Sequence, residues 1–290
     1  MNRFVRLSLE GLATTAAAML LLIALPAAAG IANTKHNLGT TGVAGNNKVT
    51  AGTDEICVFC HTPHAADTTA PVPLWNKSLG SLGGYTTYAN LNSESIDGEI
   101  LPVGSISLAC LSCHDGSQAM DNIINAPGSG GYDVTGGGAN GLLSYTWATA
   151  TGRVDVNGKL INSSTSLAML DKDLSNDHPI GIQYCGGGPN VATPAASCKD
   201  SDFFAPQSGT INGRTVFWVD STGGTAGARD KSDMQLYTRT FVNGGAGPSV
   251  ECASCHDPHV EANTGTPASG QTFLRIANTG SAVCLTCHNK

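Results

Sequence analysis

The longest apolar run of the chain lies near its start, where residues 12–25 consist only of Leu, Ala, Thr, Met and Ile. Arg3 and Arg6 precede it and Pro26-Ala27-Ala28-Ala29 follows. At about 14 residues it is shorter than the roughly 20 that cross a bilayer, and the small-residue cleavage pattern comes directly after it. Residues 1–29 therefore read as a secretory signal peptide, with no membrane span expected in the exported chain. Beyond it no stretch sustains a 3.6-residue apolar period, so only short helices are expected. The middle, about 121–250, is rich in Gly, Ser, Thr and Asn. Asn157-Gly158 stands between Arg153-Val154-Asp155-Val156 and Lys159-Leu160-Ile161, and Asn212-Gly213 precedes Thr215-Val216-Phe217-Trp218-Val219. Both dipeptides predict hairpin turns between short strands. The glycine runs at 128–131, 136–138 and 186–188 predict irregular loops.

Composition deepens the problem of what this chain folds around. Glycine makes up 36 of 290 residues, aromatics are 6% and charged residues 13%, the last against roughly 25% in ordinary domains. Ordering so glycine-rich a backbone is costly, and few large side chains are available to offset it. Something besides side chains must supply the core. Lys and Arg number 15 against 22 Asp and Glu, a net charge of −7. No basic field is present to attract nucleic acid.

Eight of the ten cysteines fall into one repeated pattern, Cys-x-x-Cys-His: Cys57/Cys60/His61, Cys110/Cys113/His114, Cys252/Cys255/His256 and Cys284/Cys287/His288. Covalent haem c needs two thiols spaced for its two vinyl groups and an adjacent histidine that turns onto the iron. Zinc or a disulfide framework would not require that histidine each time. Four covalent haems are expected, and they supply the missing core. The first motif of each half continues as CHTPH or CHDPH, and the second reads CLSCH or CLTCH. This implies a duplicated two-motif unit. The chain thus divides into residues 30–120 with one two-haem unit, 121–250 as a middle region with short strands and a distal ligand, and 251–290 with the second unit.

Four histidines remain, His36, His64, His178 and His259, one for each haem. Met120, Met169 and Met234 read as packing residues. The expected iron is therefore bis-histidine throughout, with potentials toward the low end. His64 lies three residues after His61 and His259 three after His256, too near to reach the opposite face of the same haem. The nearest alternatives assign His64 to the Cys110/Cys113 haem and His259 to the Cys284/Cys287 haem. His36 and His178 then serve the other two in an order left open. Asp115, Asp177 and Asp257, each beside a histidine, are candidate acceptors for imidazole N–H groups. Trp75 reads as packing against haem or core. Cys185 and Cys198 are left to form a disulfide, worth about 3 kcal/mol by loop closure.

The segments CVFCHTPH (57–64), ACLSCHDG (109–116), ECASCHDPH (251–259) and FLRIANTGSAVCLTCH (273–288), with KHNL (35–38) and DHPIG (177–181), resemble the doubled-CXXCH multihaem c-type cytochromes. Among these the chain is similar to tetrahaem subunits of extracellular cytochrome filaments. That resemblance implies a mostly irregular fold, with short helices at the CxxCH motifs and a few short β-hairpins, wrapped around a continuous stacked haem chain. It also implies head-to-tail polymerisation with a second copy, His36 acting across the subunit boundary. Electron transfer without catalysis is the expected function, since two histidines per iron leave no position for substrate. The partners are redox proteins or extracellular minerals, and the location is the cell surface. A monomeric periplasmic carrier is the alternative. A multihaem reductase with one open haem requires that one of the four distal histidines is not a ligand.

Overall fold

The computed structural model describes residues 30–79, 83–91, 93–136, 143, 145–163, 168–260 and 273–290. The expected signal peptide at 1–29 and part of the glycine run at 136–138 lie outside the described residues. Among those residues no helix is long and apolar enough to cross a membrane.

Two larger hydrophobic clusters, with a smaller one of Ala70, Trp75, Leu79 and Ala109, organise the described residues. The first gathers Leu38, Val49, Val58, Phe59, Met120, Ile123, Trp147, Val154 and Leu160, with Cys60, Cys113 and Met169 against its edge. Little regular structure holds it. β1 (Val49–Ala51) pairs with β2 (Thr146–Trp147) in a two-stranded sheet. The Asn157-Gly158 turn closes a single bridge, Val154 to Leu160. Gly158 has φ +78°, and a side chain there would strike the indole of buried Trp147. The turn is packed against the core.

The second cluster lies on a five-stranded antiparallel sheet, more extensive than the few short strands expected for the middle region. Its strands are β3 (Ile182–Gln183), β4 (Gln207–Ile211), β5 (Arg214–Val219), β6 (Met234–Phe241) and β7 (Gly245–Val250), in the order β3-β7-β6-β5-β4. β4 and β5 are joined through Asn212-Gly213, whose φ values of +49° and +75° suit a tight primed turn. The pairs Phe217↔Leu236 and Val219↔Met234 bury one face with Tyr184, Cys185 and Val250. Pro248 of β7 is tolerated because β3 meets β7 only at Val250 and Ser249, so the strand is an edge where proline stands. The Cys185–Cys198 disulfide forms and fixes the loop beside this cluster.

Among the described residues three α-helices carry cysteine motifs: α1 (Ser105–His114), α2 (Cys252–Cys255) and α3 (Ala282–Cys287). Each carries one Cys-x-x-Cys pair. The first motif is a turn instead, in which His61 N–H donates to Cys57 O at 2.7 Å.

Candidate functional site

The first motif is clamped by side chains. Fully buried Asn76 donates from Nδ2 to the Val58 and Asn125 carbonyls (2.7 and 3.0 Å), accepts Asn125 N–H on Oδ1, and donates its own N–H to Cys60 O. Next to it the buried Lys77 ammonium donates to Ala119 O at 2.9 Å and Asn122 O at 3.3 Å. Burial pushes the Cys60 thiol up to about 12, with Lys77 opposing that shift. His61 Nδ1 donates to Pro73 O at 2.8 Å.

The second motif occupies the last turns of α1. Leu111 and Ser112 are buried, and Cys110 and Cys113 sit three residues apart near one face. His114 Nδ1 donates to Ala168 O at 2.7 Å, and burial lowers its affinity for a proton.

The third motif, α2, is braced by a buried carboxylate. Glu251 accepts from Arg239 (2.8 Å) and Ser249 (3.0 Å) on one oxygen and from Ser107 (2.5 Å) on the other. The Ser107 hydroxyl also accepts Cys252 N–H at 3.1 Å. Because Ser107 belongs to α1, this network ties the second motif to the third. Burial raises the Glu251 pKa, and the serine and arginine contacts oppose it. Arg275 donates to the Ala253 and Ser254 carbonyls at the end of α2.

The fourth motif, α3, closes against Phe203, whose ring lies 4.3 Å from that of His288. Phe204 N–H donates to Cys287 O. Burial pushes the Cys255 and Cys287 thiols up to about 11 and about 12.

Successive motifs lie near one another. Cys60 and Cys113 pack against the same cluster, and Cys113 adds to the effect of burial in disfavouring ionisation of the Cys60 thiol. Cys252 raises the pKa of Cys110, and Cys110 lowers that of Cys252. Cys255 lies within electrostatic reach of both Cys284 and Cys287. Cys57 and Cys284, at the two ends of this series, are exposed.

The remaining histidines take positions that chain spacing does not foretell. His259 stands with its ring 6.0 Å from that of His61, and His36 6.1 Å from His114. The local pairing of His64 with the Cys110/Cys113 site and His259 with the Cys284/Cys287 site is therefore not the one this arrangement displays. CHTPH and CHDPH face each other across the molecule, and tertiary proximity outweighs proximity along the chain. His36 is held inside its own chain, stacked on Phe273 at 4.2 Å and donating Nδ1 to Pro258 O at 3.0 Å. His178 donates Nδ1 to Pro179 O at 3.1 Å and is close enough to His288 to feel its charge. His64 is exposed, its carbonyl accepting from Asn125.

Of the three candidate aspartates only Asp257 meets an imidazole, accepting His259 Nδ1 at 3.0 Å. That bond is the main cause holding Asp257 down at about 2 and raising His259. Asp115 instead accepts from Tyr85 and Ser117, and Asp177 donates its own N–H to Leu174 O. The Asp115 carboxylate still acts on His114, opposing the effect of burial on its proton affinity. Met120 and Met234 are buried in the two clusters and Met169 lies against the first. Asn76, Lys77, Glu251 and Ser107 carry no sequence signal beyond the adjacency of Glu251 to Cys252.

These residues suit haem c. The eight motif thiols form no disulfide and are left for two thioether bonds at each site. A carbonyl can only accept, so His61, His114, His36 and His178 carry their proton on Nδ1 and their lone pair on Nε2, as a ligand histidine requires. Trp75 buries its indole N–H without an acceptor beside His61, a donor suited to a haem carboxylate.

Residues 246–290 match the family model described as the doubled CXXCH motif. No curated protein matches the sequence. The matched segment contains the third and fourth motifs, and its CXXCH pairs indicate covalently bound haem c of the multihaem c-type cytochrome kind.

Proposed function

We propose that the chain is an exported tetrahaem c-type cytochrome that relays electrons through four bis-histidine sites arranged in sequence order. The observation that carries this reading is the placing of successive motifs side by side: Cys60 and Cys113 pack against one hydrophobic cluster, Cys255 and Cys287 against the other, and Ser107 joins the second motif to Glu251 and Cys252 of the third. When bound, haem c supplies reversible one-electron iron chemistry. The protein's part is to fix position and surroundings. Asn76 and the Glu251 network hold neighbouring motifs in register. Carbonyl-anchored imidazoles present Nε2 in one orientation, which keeps reorganisation small. Eight histidines serve eight axial positions, so no residue set is left to admit a substrate to iron.

The exposure of Cys57 and Cys284 supports entry and exit of electrons at the first and last sites. A contact between the first site of one copy and the last site of another is heterologous, and it propagates into a fibre unless it closes. Assembly into an extracellular filament is the finer form of the reading. With His36 turned onto its own chain, such a fibre is joined by surface contact. Formation of the Cys185–Cys198 disulfide agrees with export, since such bonds persist in oxidising compartments.

The pyridine haemochrome assay on purified protein tests the core of this reading: four haems per chain, all low-spin and inert to carbon monoxide, are expected. Fewer than four haems would refute it, and a carbon monoxide-binding haem would favour the reductase alternative. Electron micrographs showing only monomers at high concentration would leave the periplasmic carrier.

A further inference from the structure

Two pairs of imidazoles lie at the separation that one iron between them would impose. Metal–nitrogen bonds of about 2 Å on each side, plus the depth of two five-membered rings, set trans-axial imidazole centroids about 6 Å apart. His61 and His259 are 6.0 Å apart with planes 15° from parallel, and His36 and His114 are 6.1 Å apart at 74°. The free rotation of an imidazole about its iron bond accommodates both angles. Ring pairs at this distance also occur as ordinary aromatic contacts. Here, however, each pair joins one motif histidine to one surplus histidine. All four rings also have Nδ1 engaged by an acceptor: Pro73 O for His61, Asp257 Oδ1 for His259, Pro258 O for His36 and Ala168 O for His114. Nε2 is thereby the lone-pair nitrogen on every one. The Asp257–His259 bond is the carboxylate–histidine arrangement that orients metal ligands and increases their basicity.

We propose that His259 is the distal ligand of the Cys57/Cys60 haem and His36 that of the Cys110/Cys113 haem, so that the second half of the chain supplies one distal ligand of the first and holds the other in place through Pro258 and Phe273. The assignment rests on the tetrahaem reading above. The CHDPH segment thus gives its second histidine to the haem of CHTPH. The first repeat is not an independent two-haem module, because the Cys57/Cys60 iron is completed from the second.

Counting carbon monoxide-binding haems in full-length, haem-loaded variants tests this. His259→Ala is expected to keep four haems and to open one to carbon monoxide, with added imidazole returning it to low spin. His61→Ala/His259→Ala is expected to open no more haems than His61→Ala alone, because both ligands belong to one iron. That comparison holds even if His61→Ala prevents attachment of the first haem, since His259 then has no haem to expose. One further carbon monoxide-binding haem in the double variant would place His259 on a different iron and overturn the assignment. The pair His36→Ala and His114→Ala is read the same way. A wild-type haem count below four would instead defeat the tetrahaem reading, which the haemochrome assay detects separately.

Discussion

The two halves of the molecule mount the same chemistry on different scaffolds. In the first half, Cys57 to His61 is a turn whose carbonyls are caught by Asn76, and the surrounding core is tied by a two-stranded sheet and isolated bridges. In the second half, α2 leaves directly from β7, the core lies on a five-stranded sheet, and a disulfide closes the adjoining loop. Backbone ladders do there what buried amides do in the first half. A CxxCH motif needs its two thiols and its imidazole in fixed relation, and either scaffold provides that. The motif therefore dictates its own local turn and leaves the architecture around it unspecified.

Breaking the bridge between the halves should have the largest effect. Glu251→Ala leaves Arg239 and Ser107 without their buried acceptor, and losing one partner of a buried ion pair costs about 3–5 kcal/mol. Urea unfolding monitored at the haem band should show that loss, and hydrogen exchange should rise in both α1 and β7. An effect confined to the second half would show that Ser107 is not coupled to Glu251.

Removing the disulfide should separate the halves. Cys185→Ser/Cys198→Ser is expected to cost about 3 kcal/mol, with exchange protection falling in β5 to β7 while Val49 and Phe59 keep theirs. The reciprocal change is Asn76→Ala, which deletes three side-chain hydrogen bonds in a fully buried setting and strands their partners. A loss of about 2–3 kcal/mol is expected, with exchange rising around residues 57–61 and the sheet unaffected. The smallest effect belongs to the β4–β5 turn. Gly213 has φ +75° and open space around it, so Gly213→Ala should cost only about 1 kcal/mol through backbone strain. Thermal melts would check it, and a loss as large as that at Asn76 would mean the turn does more than connect two strands.

The legibility of the sequence follows this division. The Cys-x-x-Cys-His sets are visible because covalent chemistry fixes their spacing, and Cys185 and Cys198 because they are what remains. Asn212-Gly213 is visible because few dipeptides accept two positive φ values. The five-stranded sheet is harder to see. β7 reads Gly-Ala-Gly-Pro-Ser-Val, poor strand formers up to its final valine, and owes its place to β6 and to the cluster beneath it. The distal histidines are the least legible of all. The His36 bond to Pro258 spans 222 residues, and no local spacing reports that CHDPH lies against CHTPH. Reasoning from nearness along the chain therefore favours partners within one repeat, whereas the structure sets His259 and His36 across the two halves.

The claim that four sites form one continuous relay is tested most directly by a high-resolution cryo-electron microscopy structure of the haem-loaded protein. The account predicts four irons in the order Cys57/Cys60, Cys110/Cys113, Cys252/Cys255, Cys284/Cys287, each macrocycle in contact with the next, the second and third meeting where Ser107 accepts the Cys252 N–H. Two separated haem pairs, with a gap at that junction, would contradict it.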